Sequence, residues 1–272
     1  DPADATAVME AITYQNDSGS PTASPSRTFT VTTNDGLLSS NAAVSTIEIN
    51  VAPEINLDAS GDYSTTFTEN GGAINIVDVA NATIVDANND DVSLTIVAAN
   101  ISDVGQETLS IGSATVILNS SNQAYGDVDV NGVSVDIFYD GATQTFTIVD
   151  SDGVSPLSPA DATTVLKEIT YNNSSDTPST SPDRTFTITA NDGNTDSAAV
   201  ATILTVADFN DPPAIQDLDG RNTTYIVDSG AVLIDQNSIA SVVDPEENFD
   251  GVTSGTGGTL TVSFASGATA LD

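Results

Sequence analysis

The chain has no cysteine, no histidine and no tryptophan, and only four of its 272 residues are Lys or Arg. Without cysteine there are neither disulfides nor thiolate metal sites. Without cysteine and histidine, nucleophilic triads, thiol chemistry and the usual zinc centres are excluded. The few cations stand against 39 Asp+Glu, a formal net charge of −35. A surface so anionic repels phosphates, so nucleic acid is not a partner, and anionic lipid heads are repelled as well. No apolar run is long enough to span a bilayer, which argues against membrane insertion. Residue 1 follows no basic and apolar leader, so the chain reads as an excised or mature piece. "GTGGT" at 255–259 lacks the lysine of a phosphate loop and reads as a turn. Aromatic residues, at 5%, are too few to line a sugar cleft for paired carboxylates to work in. No enzyme is expected.

Acid, by contrast, is abundant, and Asp outnumbers Glu several-fold. Short carboxylates suit turns and metal-binding loops better than helix surfaces. Two explanations stand side by side: bound cations that offset self-repulsion, and adaptation of the surface to salty water. With 39% hydrophobic residues the chain can bury a core. Its apolar residues are mainly Val, Ile, Ala and Leu, interleaved with Thr and Ser, the make-up of half-buried pleated surfaces.

The sequence repeats itself. "PADATAVMEAITYQNDSGSPTASPSRTFTVTTNDG" (2–36) aligns without a gap on "PADATTVLKEITYNNSSDTPSTSPDRTFTITANDG" (159–193), a shift of 157 residues. Weaker echoes, shifted by 158, link "ENGGAINI" (69–76) to "DSGAVLID" (228–235) and "ATIVD" (82–86) to "ASVVD" (240–244). Residues 1–50 therefore read as the C-terminal part of one repeat, 51–211 as a complete repeat, and 212–272 as the N-terminal part of the next. The simplest layout is a window on a longer tandem array.

Alternating segments at 92–101, 114–118, 133–139, 143–149, 184–190 and 199–207 predict strands. Val133, Val135, Ile137 and Tyr139 fall on one face, with Ser134, Asp136 and Phe138 on the other. Short strands parted by Gly, Asn and Asp predict an all-β fold of β-sandwich repeats. The exception is "SPADATTVLKEI", where Ala162, Val165, Leu166 and Ile169 recur at helical spacing. Ser158 is placed to cap this helix, Pro159 to open it and Asp161 to complete a capping box; Asp1, Pro2 and Asp4 repeat the logic.

Arg27 and Arg184 hold equivalent positions, and each is expected to pair with a carboxylate of its own domain. Tyr14 and Tyr171, equivalent in "ITY", are expected to pack in the core with the hydroxyl on a backbone group. Oxygen-rich loops point to calcium, which takes six to eight oxygens from carboxylates, carbonyls and amides. "DFNDPP" offers Asp208, Asn210 and Asp211 before two stiffening prolines. "DANNDD" offers Asp86, Asn88, Asp90 and Asp91, echoed by Asp244, Glu246, Glu247 and Asp250, and Glu69 adds a carboxylate capable of bidentate binding. "NDG" at 34–36 and 191–193 and "DSDG" at 150–153 read either as hairpin turns or as ligands.

"DFNDPP" resembles the DxNDxxP linker of cadherins, and "LKEITYNNSSDTPSTSPDRTFTITANDG" is similar to the cadherin-like tandem repeats of giant bacterial surface and biofilm proteins. The resemblance covers essentially the whole chain. It implies sandwich modules in file, secreted to the cell surface, with Ca2+ at the junctions and a role in adhesion or matrix. By this match Asp208, Asn210 and Asp211 are junction ligands, with Glu69 and Asp86 beside them. Two departures stand out. The repeat exceeds the usual cadherin length, which calls for extra strands or an inserted hairpin around 105–157. The earlier junction, "IEINVAPEI", keeps Asn50 but neither Asp. The implied partners are neighbouring repeats or identical chains. Two other readings are a subunit of a self-assembling extracellular filament or sheath joined by strand exchange, and a calcium-assisted module binding surface glycans through Tyr63, Tyr125 and Tyr139.

Overall fold

The computed structural model describes residues 1–18, 21–218, 222–235, 239–244 and 258–263, so Glu246, Glu247 and Asp250 lie outside the described residues. The protein is mostly β-sheet, with two short helices. Helix α1 (Pro2–Glu10) comes first, capped by Asp1, whose carboxylate accepts from the amides of Ala3 and Asp4. Strands β1 (Arg27–Val31) and β2 (Ala43–Ile47) then pair antiparallel, with Arg27 opposite Ile47.

The central stretch carries β3 (Glu54–Asn56), β4 (Tyr63–Thr68), β5 (Ile74–Asn75), β6 (Thr83–Val85), β7 (Ser93–Ala99), β8 (Glu107–Ile111), β9 (Ala114–Ile117), β10 (Gln123–Val130), β11 (Val133–Asp140) and β12 (Thr145–Asp150). Helix α2 (Pro159–Lys167) follows, and then β13 (Ile169–Asn173), β14 (Arg184–Asn191) and β15 (Val200–Ala207). Beyond these, β16 (Ala214–Gln216) pairs antiparallel with β17 (Ser241–Val243). Asp244 follows β17 as Asp86 follows β6, which pairs with β3 in the same sense.

Seven strands form one sheet in the order β10-β11-β12-β7-β14-β15-β4, and four form a second in the order β5-β13-β8-β9. Every neighbouring pair is antiparallel except β15 and β4, which run parallel. The alternation expected along β11 holds: Val135, Ile137 and Tyr139 are buried, while Ser134 and Phe138 are exposed. Strands β8–β12 occupy residues 107–150.

Both sheets contribute to one apolar core. Tyr171 of β13 meets Phe67 of β4 edge-on at 5.4 Å between ring centres, and Phe186 of β14 at 5.9 Å. Each such ring or branched aliphatic side chain, removed from water, stabilises by about 1.5–3 kcal/mol. Helix α2 seals the core with Pro159, Ala162, Val165 and Leu166. Its cap is Ser158, which accepts from the Asp161 amide and donates to the Asp161 carboxylate. Ile169 is not on the helix; the chain has already turned at Glu168, and Ile169 opens β13.

The segment at 1–49 shares two local features with the segment 157 residues later. Its helix begins at the equivalent proline, and Arg27 opposite Ile47 mirrors Arg184 opposite Leu204. Unlike α2, α1 buries none of its residues.

Candidate metal centres

Two groups of acids stand at opposite ends of β15. At its far end, the parallel pairing with β4 sets Thr68 beside Ala207, and the Glu69 amide donates to the Ala207 carbonyl at 2.9 Å. The chain that leaves β15 therefore passes directly over Glu69. The Phe209 amide donates to its Oε2 at 3.0 Å, and Asn70 Nδ2 donates to Asp211 Oδ1 at 3.2 Å. Asp176, in the loop after β13, completes the group. Carboxylate oxygens of Glu69, Asp176 and Asp211 all lie within 4.8 Å of one another. Glu69 is buried, Asp211 half-buried and Asp176 exposed. Burial pushes the Glu69 carboxyl above its usual range, against the pull of the Phe209 amide, and the nearby acids Asp208 and Asp211 push it further. Among the described residues neither Glu69 nor Asp176 forms an ion pair with Lys or Arg. Asn210 turns its amide onto the Asp211 carbonyl, 3.0 Å away.

At the near end, the loop after β6 folds onto the segment that leads into β3. Asn88 grips that segment twice: its Nδ2 donates to the Ile49 carbonyl, and its Oδ1 accepts from the Val51 amide at 2.9 Å. Asn50 Nδ2 reaches Asp192 Oδ2 at 2.9 Å, which brings in the turn after β14. Around this clasp opens a polar cleft of about 780 Å³, lined by Glu48, Asp90, Asp91 and Asp192 among others. Asp86 Oδ1 accepts from the amides of Asn88 and Asp90, at 2.8 and 3.0 Å. Its other oxygen, Oδ2, is buried with no hydrogen-bond partner among the described residues. Burial raises the Asp90 carboxyl, helped by the charges of Asp86, Asp192, Glu48 and Asp91. Asp192 goes the other way. Burial pushes it up, but the Thr195 amide, the Asn50 side chain and the Asn194 amide outweigh that and hold it low.

Glu69 and Asp86 thus belong to different centres. The first gathers Glu69 with Asp208 and Asp211; the second gathers Asp86, Asn88 and Asp90. Two participants were not singled out in the sequence, Asp176 and Glu48; a third, Asp192, lies in the Asn-Asp-Gly segment that reads either as a hairpin turn or as ligands. The turn and the cleft coexist, because Asp192 Oδ1 accepts from Asn194 and Thr195 while Oδ2 faces Asn50. Asp176 carried a signal, the Asn-Asn-Ser-Ser-Asp run that ends in it.

The first donor set fits a hard cation; among the described residues no three carboxylates of the second group close to the same degree. Oxygens 4.8 Å apart or closer sit on one shell around an ion with 2.3–2.6 Å bonds. A buried carboxylate oxygen with no donor is the group such an ion satisfies.

The equivalent arginines differ. Arg184 is wholly buried against Glu107 and Asp103, each 3.0 Å from Nη2. Arg27 meets no carboxylate among the described residues; it donates to the carbonyls of Thr22 and Pro25. Tyr171 is buried, but its hydroxyl donates to Glu107 Oε2 at 2.8 Å and not to backbone. Tyr14 remains 37% exposed. Of the tyrosines considered for glycan contact, Tyr139 is buried and presents no ring face, and Tyr125 donates to the Thr115 carbonyl at 2.6 Å.

Comparison with protein-family models and with curated proteins finds no match for this chain.

Proposed function

We propose that this chain is part of a secreted, cell-surface structural protein, in which tandem cadherin-like β-sandwich modules are stiffened by calcium at their junctions for adhesion or matrix building. Residues 51–211 are one module, 1–50 the end of the module before it, and 212–272 the start of the next. The observation that carries the reading is the buried Glu69 carboxylate, which has oxygens of Asp176 and Asp211 within 4.8 Å at the exit of β15. The unpartnered Asp86 oxygen supports a second centre at the entry to the module. The sequence similarity of "DFNDPP" to cadherin linkers agrees with this, since Asp208 and Asp211 are the acids that raise Glu69.

The mechanism follows from charge. Without a cation, acids crowded at a junction repel, and the linker swings. With calcium, oxygens from the module and from the linker converge on one ion, and the joint locks. Extracellular calcium sites bind at roughly 10⁻⁴ to 10⁻³ M, so these centres fill in ion-rich surroundings and empty at cytosolic levels. Small-angle scattering tests the reading: calcium makes the chain more rigid and extended, and chelator restores a broader distribution of shapes. Identical profiles in both conditions reject it.

A further inference from the structure

The apolar face of residues 1–49 is uncovered. Val8 is 67% exposed, Ile12 64% and Phe29 40%, whereas their equivalents Val165, Ile169 and Phe186 are fully buried. Met9, Tyr14, Phe29, Val31, Val44 and Ile47 together line an open apolar groove of about 300 Å³.

Charge says what this face is shaped to receive. Arg184 has two halves to its coordination. Its own loop supplies carbonyls, those of Ser179 and Pro182, at 2.8 and 2.9 Å from Nη1. The other half comes from 77 and 81 residues earlier: Glu107 accepts from Nε at 3.1 Å and from Nη2 at 3.0 Å, and Asp103 accepts from Nη2 at 3.0 Å. Arg27 keeps the equivalent carbonyls, with Pro25 on Nη1 but Thr22 on Nη2, and meets no carboxylate among the described residues. Its guanidinium is already held in place by these carbonyls, and its Nε meets no acceptor among the described residues.

The backbone gives the same answer. Strand β13 lies between β5 and β8, with Tyr171 opposite Leu109. The equivalent residues 12–16 form no strand and join no sheet among the described residues. Tyr14 nonetheless packs against Phe29 at 5.7 Å, close to the 5.9 Å between Tyr171 and Phe186.

We propose that residues 1–49 are a preformed receptor for a β-segment of the same repeat type as residues 51–157. The bound segment lays a strand with the pattern Asp-x-x-x-Glu-x-Leu, that of Asp103, Glu107 and Leu109, along residues 12–16. Its Glu clamps Arg27 by two points and accepts the Tyr14 hydroxyl, its Asp takes the remaining guanidinium proton, and its apolar side chains cover Ile12 and Phe29. Backbone pairing supplies affinity, and the carboxylate pair supplies specificity. Neither candidate metal centre takes part, so this docking is independent of calcium and stands or falls apart from the calcium reading.

The test joins a second copy of residues 51–157 directly ahead of Asp1 of the full chain, which restores the spacing found before Ser158. Amide exchange at residues 12–16 is expected to slow by about tenfold or more, approaching that of 169–173 in the same molecule. Arg27→Met, silent in the unextended chain, is expected to lower the melting temperature of the extended one, as is Glu107→Gln placed in the added copy alone. Fast exchange at 12–16 in the extended chain overturns the proposal, whether or not the added copy folds. So does a silent Arg27→Met beside a destabilising Arg184→Met.

Discussion

Arg184 and Glu107 meet inside the protein through two nearly parallel contacts, Nε to Oε2 at 3.1 Å and Nη2 to Oε1 at 3.0 Å, both side chains being fully buried. Burial alone lowers the affinity of the guanidinium for its proton, but the Glu107 carboxylate, Tyr171 and Asp103 more than reverse this. The contact ties β8 of the smaller sheet to β14 of the larger one. Removing one partner strands a charge in the core. Arg184→Met is therefore expected to destabilise by about 3 kcal/mol or more, read from urea unfolding. A variant within about 0.5 kcal/mol of the parent contradicts this role.

The alternation of apolar residues made β7, β11, β14 and β15 legible in the sequence, and Ser158 with Pro159 and Asp161 made α2 so. Strand β8 was not legible, because Glu107 sits at a core position and breaks the pattern; its partner, Arg184, is 77 residues away. For the same reason the acids were visible as loops but not as groups. The parallel pairing of β4 with β15 carries Glu69 to the linker, and the antiparallel pairing of β3 with β6 carries Asp86 to the other end. Both pairings join segments whose sequences give no sign of register. Asp176 reaches Glu69 only through the docking of β13 into the second sheet.

Glu69 and Asp90 titrate above their ordinary values of 4.5 and 3.8. Between the unfolded and the raised folded values the folded state holds protons that the unfolded chain has released, so stability falls as pH rises through that window. Asp192, Asp78, Asp58 and Asp152 are held below 3.8, so the stability they contribute is complete above that value and is lost as pH falls through their folded values. In chelator, melting is expected to decline as pH rises above the ordinary values of these two groups. Saturating calcium at neutral pH is expected to abolish the decline, since the ion does what the proton did. A chelated protein whose melting shows no decline as pH rises above those ordinary values contradicts the assignment.

Glu69→Gln separates charge from shape. The amide removes the buried negative charge that faces Asp208 and Asp211, so in chelator the variant is expected to melt a few degrees above the parent, about 2–4 °C for each kcal/mol gained. The same change removes a ligand, and the response to calcium should shrink. A variant that melts lower in chelator yet keeps the full calcium response counts against the centre.

Gly141, between β11 and β12, tolerates no side chain. A Cβ there would lie 2.3 Å from the Ser120 carbonyl carbon and 2.5 Å from the Ser121 nitrogen, both backbone atoms that cannot swing aside. Gly141→Ala is expected to cost about 1–3 kcal/mol. Gly132 offers the contrast: at φ +89° it meets nothing within 4 Å, so Gly132→Ala costs only backbone strain, about 1 kcal/mol. Thermal unfolding of the two variants side by side checks the order; a milder effect at Gly141 than at Gly132 contradicts it.

The central claim is that one divalent ion joins Glu69, Asp176 and Asp211 where the chain leaves β15. Crystals grown in calcium, measured at a wavelength where calcium scatters anomalously, test it most directly. The account predicts an anomalous peak about 2.3–2.6 Å from oxygens of all three carboxylates. A well-ordered junction with these side chains turned to solvent and no peak between them would contradict it.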